Sequence, residues 1–227
     1  MKKKLFLNLN IILLCILAVC IYIYDNINGR LVMKGTTAGC FAVLGLVNLV
    51  YALSVKPRKP AFPLCLSAGL ILAMLGDVLL GRNFILGAGL FAAGHVMYAV
   101  AMYARQRFAR LDAVMSGVMF LLALAILTFT PNLTFSDPVM QVVCYVYAVI
   151  ISAMAGKAIS GFLRARTLVN GLLALGSVLF YFSDVMLVLS WFAGAGSWAD
   201  TLCLFTYFPG QGILAHAGYW RVQEAAE

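Results

Sequence analysis

Apolar residues fall in eight helix-length blocks along the chain, about 5 to 24, 36 to 54, 61 to 80, 84 to 104, 112 to 130, 138 to 158, 168 to 192 and 198 to 219. About 20 apolar residues, each rising ~1.5 Å, cross the ~30 Å hydrocarbon core of a bilayer. Each block therefore predicts one spanning helix. Between them stand turn and charge signals: Asn28-Gly29-Arg30, Lys56-Pro57-Arg58-Lys59-Pro60, Gly81-Arg82-Asn83, Arg105 to Arg110, Pro131-Asn132, Arg164 to Arg166 and Gly194-Ala195-Gly196. The first block follows Met1-Lys2-Lys3-Lys4 as a signal peptide would. Its apolar run is longer than the usual signal core, so it reads as a retained helix. The pattern predicts an all-α membrane protein: eight transmembrane helices in one bundle, forming a single polytopic domain over residues 1–227.

Two of the blocks break their own pattern with a carboxylate. Asp77 interrupts Ser67 to Leu80, and Asp184 interrupts Leu175 to Ser190. With Asp77 laid on Asp184, Gly69 falls on Gly176, Leu72 on Leu179, Val78 on Val185 and Leu80 on Leu187. That register predicts two parallel four-helix repeats, 1–110 and 111–227, related by an axis along the membrane normal. A charged side chain at the bilayer centre costs at least ~2.5 kcal/mol, and such residues face a bundle interior or a wet cavity. The two acids are therefore the first candidates for function.

Composition fixes the class. Hydrophobic residues make up 64% of the chain and charged ones 11%, outside the range of a soluble domain. A net charge of +8 could suggest nucleic acid. The basic residues instead lie in short clusters between the blocks, which predicts no nucleic-acid partner. Thirteen of the sixteen Lys and Arg fall on one set of alternating ends, leaving Arg30, Lys34 and Arg82 on the other. By the positive-inside rule both termini are then cytoplasmic, in what reads as a bacterial inner membrane. Each acid lies about 24 Å into its helix at ~1.5 Å per residue, in the non-cytoplasmic half. The six cysteines sit apart within apolar runs and predict neither a disulfide framework nor a metal site.

Further polar residues join the candidates. In the fourth block His95, Tyr98 and Met102 share one helix face. In the eighth, Tyr207 and Gln211 do the same, with Pro209 and Gly210 between them loosening the backbone as at a cavity wall. Asp25, Asp112, Asp137 and Asp200 lie at block edges and read as capping or solvated residues, and His216 as structural.

At these residues the sequence resembles the YhhN family of eight-span membrane proteins, whose characterised members are lysoplasmalogenases. The likeness runs through Lys56-Pro57, Leu75-Gly76-Asp77-Val78-Leu79-Leu80, the spacing of Phe91, Gly94, His95 and Tyr98, Ser183-Asp184, and the spacing of Tyr207, Gln211 and Leu214. It implies hydrolysis of the vinyl ether of a lysoplasmalogen, an alkenyl-glycerophospho-ethanolamine or -choline, to a fatty aldehyde and a glycerophospho-base. It further implies that Asp77 and Asp184 are the catalytic acids. The partners implied are the lysophospholipid substrate and membrane lipid.

The residue types suit that chemistry on their own. A vinyl ether is hydrolysed by protonation at carbon, giving an oxocarbenium ion that water captures. The reaction needs one acid, one anion and no cofactor, the division of labour of a glycosidase carboxyl pair. Arg82 follows Asp77 closely and a nearby cation favours the ionised form, so Asp77 reads as the anion and Asp184 as the proton donor. His95, Tyr98, Tyr207 and Gln211 would orient substrate or water, and Arg82 is a candidate phosphate contact. An intramembrane aspartyl protease is disfavoured because Met74 stands where its G-x-G-D signature has the first Gly. A proton-coupled transporter, or a lipid-binding protein without hydrolase activity, is the alternative from another class.

Overall fold

The computed structural model describes residues 2–26, 31–55 and 60–225. The Asn28-Gly29-Arg30 turn, the Lys56-Pro57 pair and the cations Arg58 and Lys59 lie outside the described residues. The described residues form eight helices: α1 (Lys2–Asn26), α2 (Leu31–Ser54), α3 (Ala61–Leu80), α4 (Phe84–Arg105), α5 (Arg110–Phe129), α6 (Pro138–Arg164), α7 (Leu168–Ala193) and α8 (Ser197–Glu224).

Local chemistry sets several of these ends. Asn83 accepts a hydrogen bond from the Leu86 amide at the start of α4, and Thr167 accepts one from Asn170 at the start of α7. Asp137 accepts from Val139, with Pro138 beginning α6, where its missing N–H costs nothing. Gly194 ends α7 in the left-handed region, with φ 65°.

Burial runs opposite to that of a water-soluble protein. Val32, Leu121 and Phe129 are exposed, while Asn10, Asn48, Asp77, His95 and Gln211 are buried. Polar side chains turned inward beneath an apolar exterior match a bilayer as solvent. Seven of the helices are long and apolar enough to cross a membrane, and α8 is not. The reason is its position. Packed against α1, α2, α3 and α7, α8 buries Tyr207, Gln211, Tyr219 and Gln223, and a helix surrounded by protein need not be apolar on every face.

Two close helix pairs carry the acids, and both are built on facing glycines. In α3 and α4 a Cβ at Gly69 would meet the Gly94 carbonyl at 3.1 Å and the Tyr98 ring at 2.4 Å. In α7 and α8 a Cβ at Gly176 would meet the Gly210 carbonyl at 2.9 Å and Leu214 at 2.8 Å. Small residues let backbones approach closely, which is how membrane helices gain packing contact. Asp77 lies two turns beyond Gly69, and Asp184 two turns beyond Gly176.

One sequence expectation is corrected here. Lys157 is one of the thirteen cations counted above at the helix ends, with the sixth block ending at 158. The helix runs on to Arg164, and Lys157 is 1% exposed, its ammonium 2.8 Å from Asp112 and over the Tyr103 ring. Asp112 caps α5 by accepting from the Ala109 amide, as its place at a helix start suggests, and it also takes hydrogen bonds from Lys157 and Ser160. His216 is structural: Trp220 donates to its Nε2, and its Nδ1 faces the Asn10 carbonyl oxygen within an Asn10–Asn48 network.

Candidate functional site

A cavity of about 330 Å³ is lined by Tyr24 and Asp25 of α1, Lys34 of α2, Asp77 of α3, Asp184 and Trp191 of α7, and Asp200 and Tyr207 of α8. Asp25 ends α1, Lys34 begins α2 and Asp200 begins α8. The cavity therefore sits toward the end of the bundle opposite the chain termini. Asp77 and Asp184 stand on its wall together.

Their surroundings differ. Asp77 is 2% exposed; the Lys34 ammonium lies 3.2 Å from its Oδ1, and the Tyr207 hydroxyl donates to its Oδ2 at 2.6 Å. Both carboxyl oxygens of Asp77 thus have a donor facing them. Asp184 is 17% exposed, and the Tyr147 hydroxyl donates to its Oδ2 at 2.6 Å. His95 Nε2 stands 2.7 Å from the same Tyr147 oxygen and 3.6 Å from Asp184 Oδ2. The Tyr147 hydroxyl therefore stands between His95 and Asp184, within hydrogen-bond distance of both. Among the described residues His95 Nδ1 has no hydrogen-bond partner.

Each acid thus draws on one helix preceding its own and on one helix of the opposite half. Lys34 of α2 and Tyr207 of α8 serve Asp77. Tyr147 of α6 and His95 of α4 serve Asp184.

The other sequence candidates divide. Tyr98 donates to Gln211 Oε1 at 2.6 Å, and both are fully buried, with Gln211 Nε2 unpartnered among the described residues. Neither lines the cavity. Arg82 lies exposed in the α3–α4 turn, away from the lining. The cation at Asp77 is Lys34. Sequence reasoning left Lys34 in a loop because it began the second helix at 36, five residues late. Its signal was a lone Lys one turn from an apolar run. Tyr147 carried no signal that set it apart from its neighbour Tyr145.

The YhhN family model matches residues 29–218. The chain belongs to the YhhN family. Nothing among curated proteins or solved structures matches it. Every member of the acid cluster, from Lys34 to Gln211, falls within the matched span. Among the described residues no group of three or more His, Cys, Asp or Glu is arranged to hold a metal ion.

Proposed function

We propose that the protein is an intramembrane hydrolase that cleaves the vinyl ether of a lysoplasmalogen, releasing a fatty aldehyde and a glycerophospho-base. The observation that carries this reading is the pair of unlike carboxyls on one cavity wall: Asp77 beside Lys34, and Asp184 beside Tyr147 and His95, with no Lys or Arg paired to it among the described residues. YhhN membership supports it.

In this mechanism Asp184 donates its proton to the chain-side carbon of the vinyl ether. The π electrons form the new C–H bond and leave an oxocarbenium ion, which the Asp77 carboxylate stabilises. Water adds to the cation and gives its proton to Asp77, forming a hemiacetal. The hemiacetal hydroxyl then returns a proton to Asp184 as the carbon–oxygen bond to glycerol breaks, and the leaving oxygen takes the proton from Asp77. Both acids end as they began, and one water is consumed. Tyr147 orients Asp184 in this mechanism, while Lys34 and Tyr207 face the Asp77 carboxyl and position it.

The same reading treats α8 as an eighth span and residues 1–110 and 111–227 as parallel repeats, supported by the matched glycine crossings and the exchanged acid partners. Both termini are cytoplasmic and the cavity faces the outer side of a bacterial inner membrane, supported by the charge bias of the loops.

Purified protein in detergent, given an alkenyl lysophospholipid, should release aldehyde with no ion gradient, and the saturated-ether analogue should be left intact. Lipid-dependent proton uptake into proteoliposomes without aldehyde would replace this reading with a transporter.

A further inference from the structure

A second cavity lies against the first, and it is apolar. Phe84 and Ala88 of α4, Ala123 and Leu127 of α5, Ala148 of α6 and Val185 of α7 wall it. Leu80, Phe91, Asp184 and Leu187 line both spaces, whereas Asp77 lines only the polar one. The tyrosine hydroxyls of the apolar cavity are already used: Tyr147 donates to Asp184, and Tyr181 donates to the Met119 carbonyl. Nothing but Asp184 is left along this wall to bind a strongly polar ligand.

We propose, resting on the hydrolase reading above, that this cleft takes the single hydrocarbon chain of the lipid while the polar cavity holds its glycerophospho head. A vinyl ether sits where chain meets head, so an amphiphile spanning the two spaces brings it to their shared wall. The carbon that accepts the proton is on the chain side, and Asp184 is the acid reaching that side. Asp77 faces the ether oxygen and the water. Asp25, Lys34, Asp77 and Asp200 line the other space and offer the head its charged partners. Small side chains at 88, 123 and 148 keep the cleft open. The apolar residues that α5 buries, Ala123 and Leu127, both face it.

A saturated-ether lysolipid with a photoreactive diazirine at the chain end, crosslinked to the wild-type protein and mapped by peptide, should label α4 to α7 at the cleft. Labelling on α1 and α2, or spread over the lipid-facing surface, overturns the proposal. Turnover gives the second measurement. Ala123→Phe and Ala148→Phe should shift preference from long to short alkenyl chains, by about fourfold for each methylene displaced from the cleft. Leu121→Phe, on the exposed face of α5, should leave the profile unchanged. Equal loss on short and long chains in the two cleft variants also counts against it. A wild-type protein that labels at the cleft but releases no aldehyde would end the hydrolase reading and leave the chain site standing.

Discussion

Lys34 Nζ lies 3.2 Å from Asp77 Oδ1, joining the first turn of α2 to a carboxylate that is otherwise sealed inside the bundle. A buried charge that loses its partner neutralises or destabilises the fold, so removing this amine should disturb Asp77 directly. Lys34→Met should lower aldehyde release by about 10²-fold, the scale of removing one preorganised electrostatic contact. Lys34→Arg should restore a good part of it. Steady-state kinetics on folded, purified variants measures this, and a fully active Lys34→Met would mean that Asp77 acts without its cation.

Asp184→Asn should abolish turnover while lysolipid binding stays near wild type, since an amide matches the acid in shape but cannot protonate carbon. Asp77→Asn should also be severely impaired, yet a vinyl ether with a more stable oxocarbenium should recover part of its rate. Aldehyde release alongside equilibrium binding of the saturated ether separates the two. Substantial activity in Asp184→Asn, with Asp77→Asn dead on every substrate, would reverse the roles.

Tyr147→Phe removes the hydroxyl that lies between His95 and Asp184. It should reduce turnover by about tenfold or more, because a misplaced catalytic group loses a large part of its advantage. Tyr145→Phe, two residues away on α6 and outside the cluster, should have little effect. A solvent deuterium isotope effect that persists in Tyr147→Phe would show that proton transfer still limits the rate.

At the other end of the bundle, Lys157→Met should destabilise the protein by ~3–5 kcal/mol, because it leaves the Asp112 carboxylate buried without its ammonium partner. The double variant Lys157→Met/Asp112→Leu should be less damaged than the single one, though it also gives up the α5 cap. Thermal unfolding in detergent reads the order, and a more stable single variant would mean that Arg164, 3.4 Å from Asp112, suffices alone.

A reporter fused after Glu227 should lie in the cytoplasm, and a tag inserted at Pro131-Asn132 on the opposite side. Finding both outside would turn the cavity toward the cytoplasm and reverse the side from which the lipid head is bound.

The sequence by itself determined the solvent, the helices and the two acids. Lipid demands long apolar helices, so composition and block length exposed α1 to α7 directly, and a carboxylate inside such a block stands out because hydrocarbon penalises it. Only the tertiary structure decided what surrounds each acid. Lys34, Tyr147 and Tyr207 reach them from other helices, and side-chain convergence depends on helix rotation and crossing, which a one-dimensional pattern does not encode. Arg82 is close to Asp77 in sequence yet exposed in a turn, while Lys34 is far in sequence and in contact. Lys157 was misplaced for the same reason, because an amine buried against a carboxylate looks, residue by residue, like one at an interface. The apolar cleft was the least legible feature of all. Its walls are ordinary Ala, Leu, Phe and Val, and what sets them apart from the lipid-facing residues is only that five helices leave a gap there.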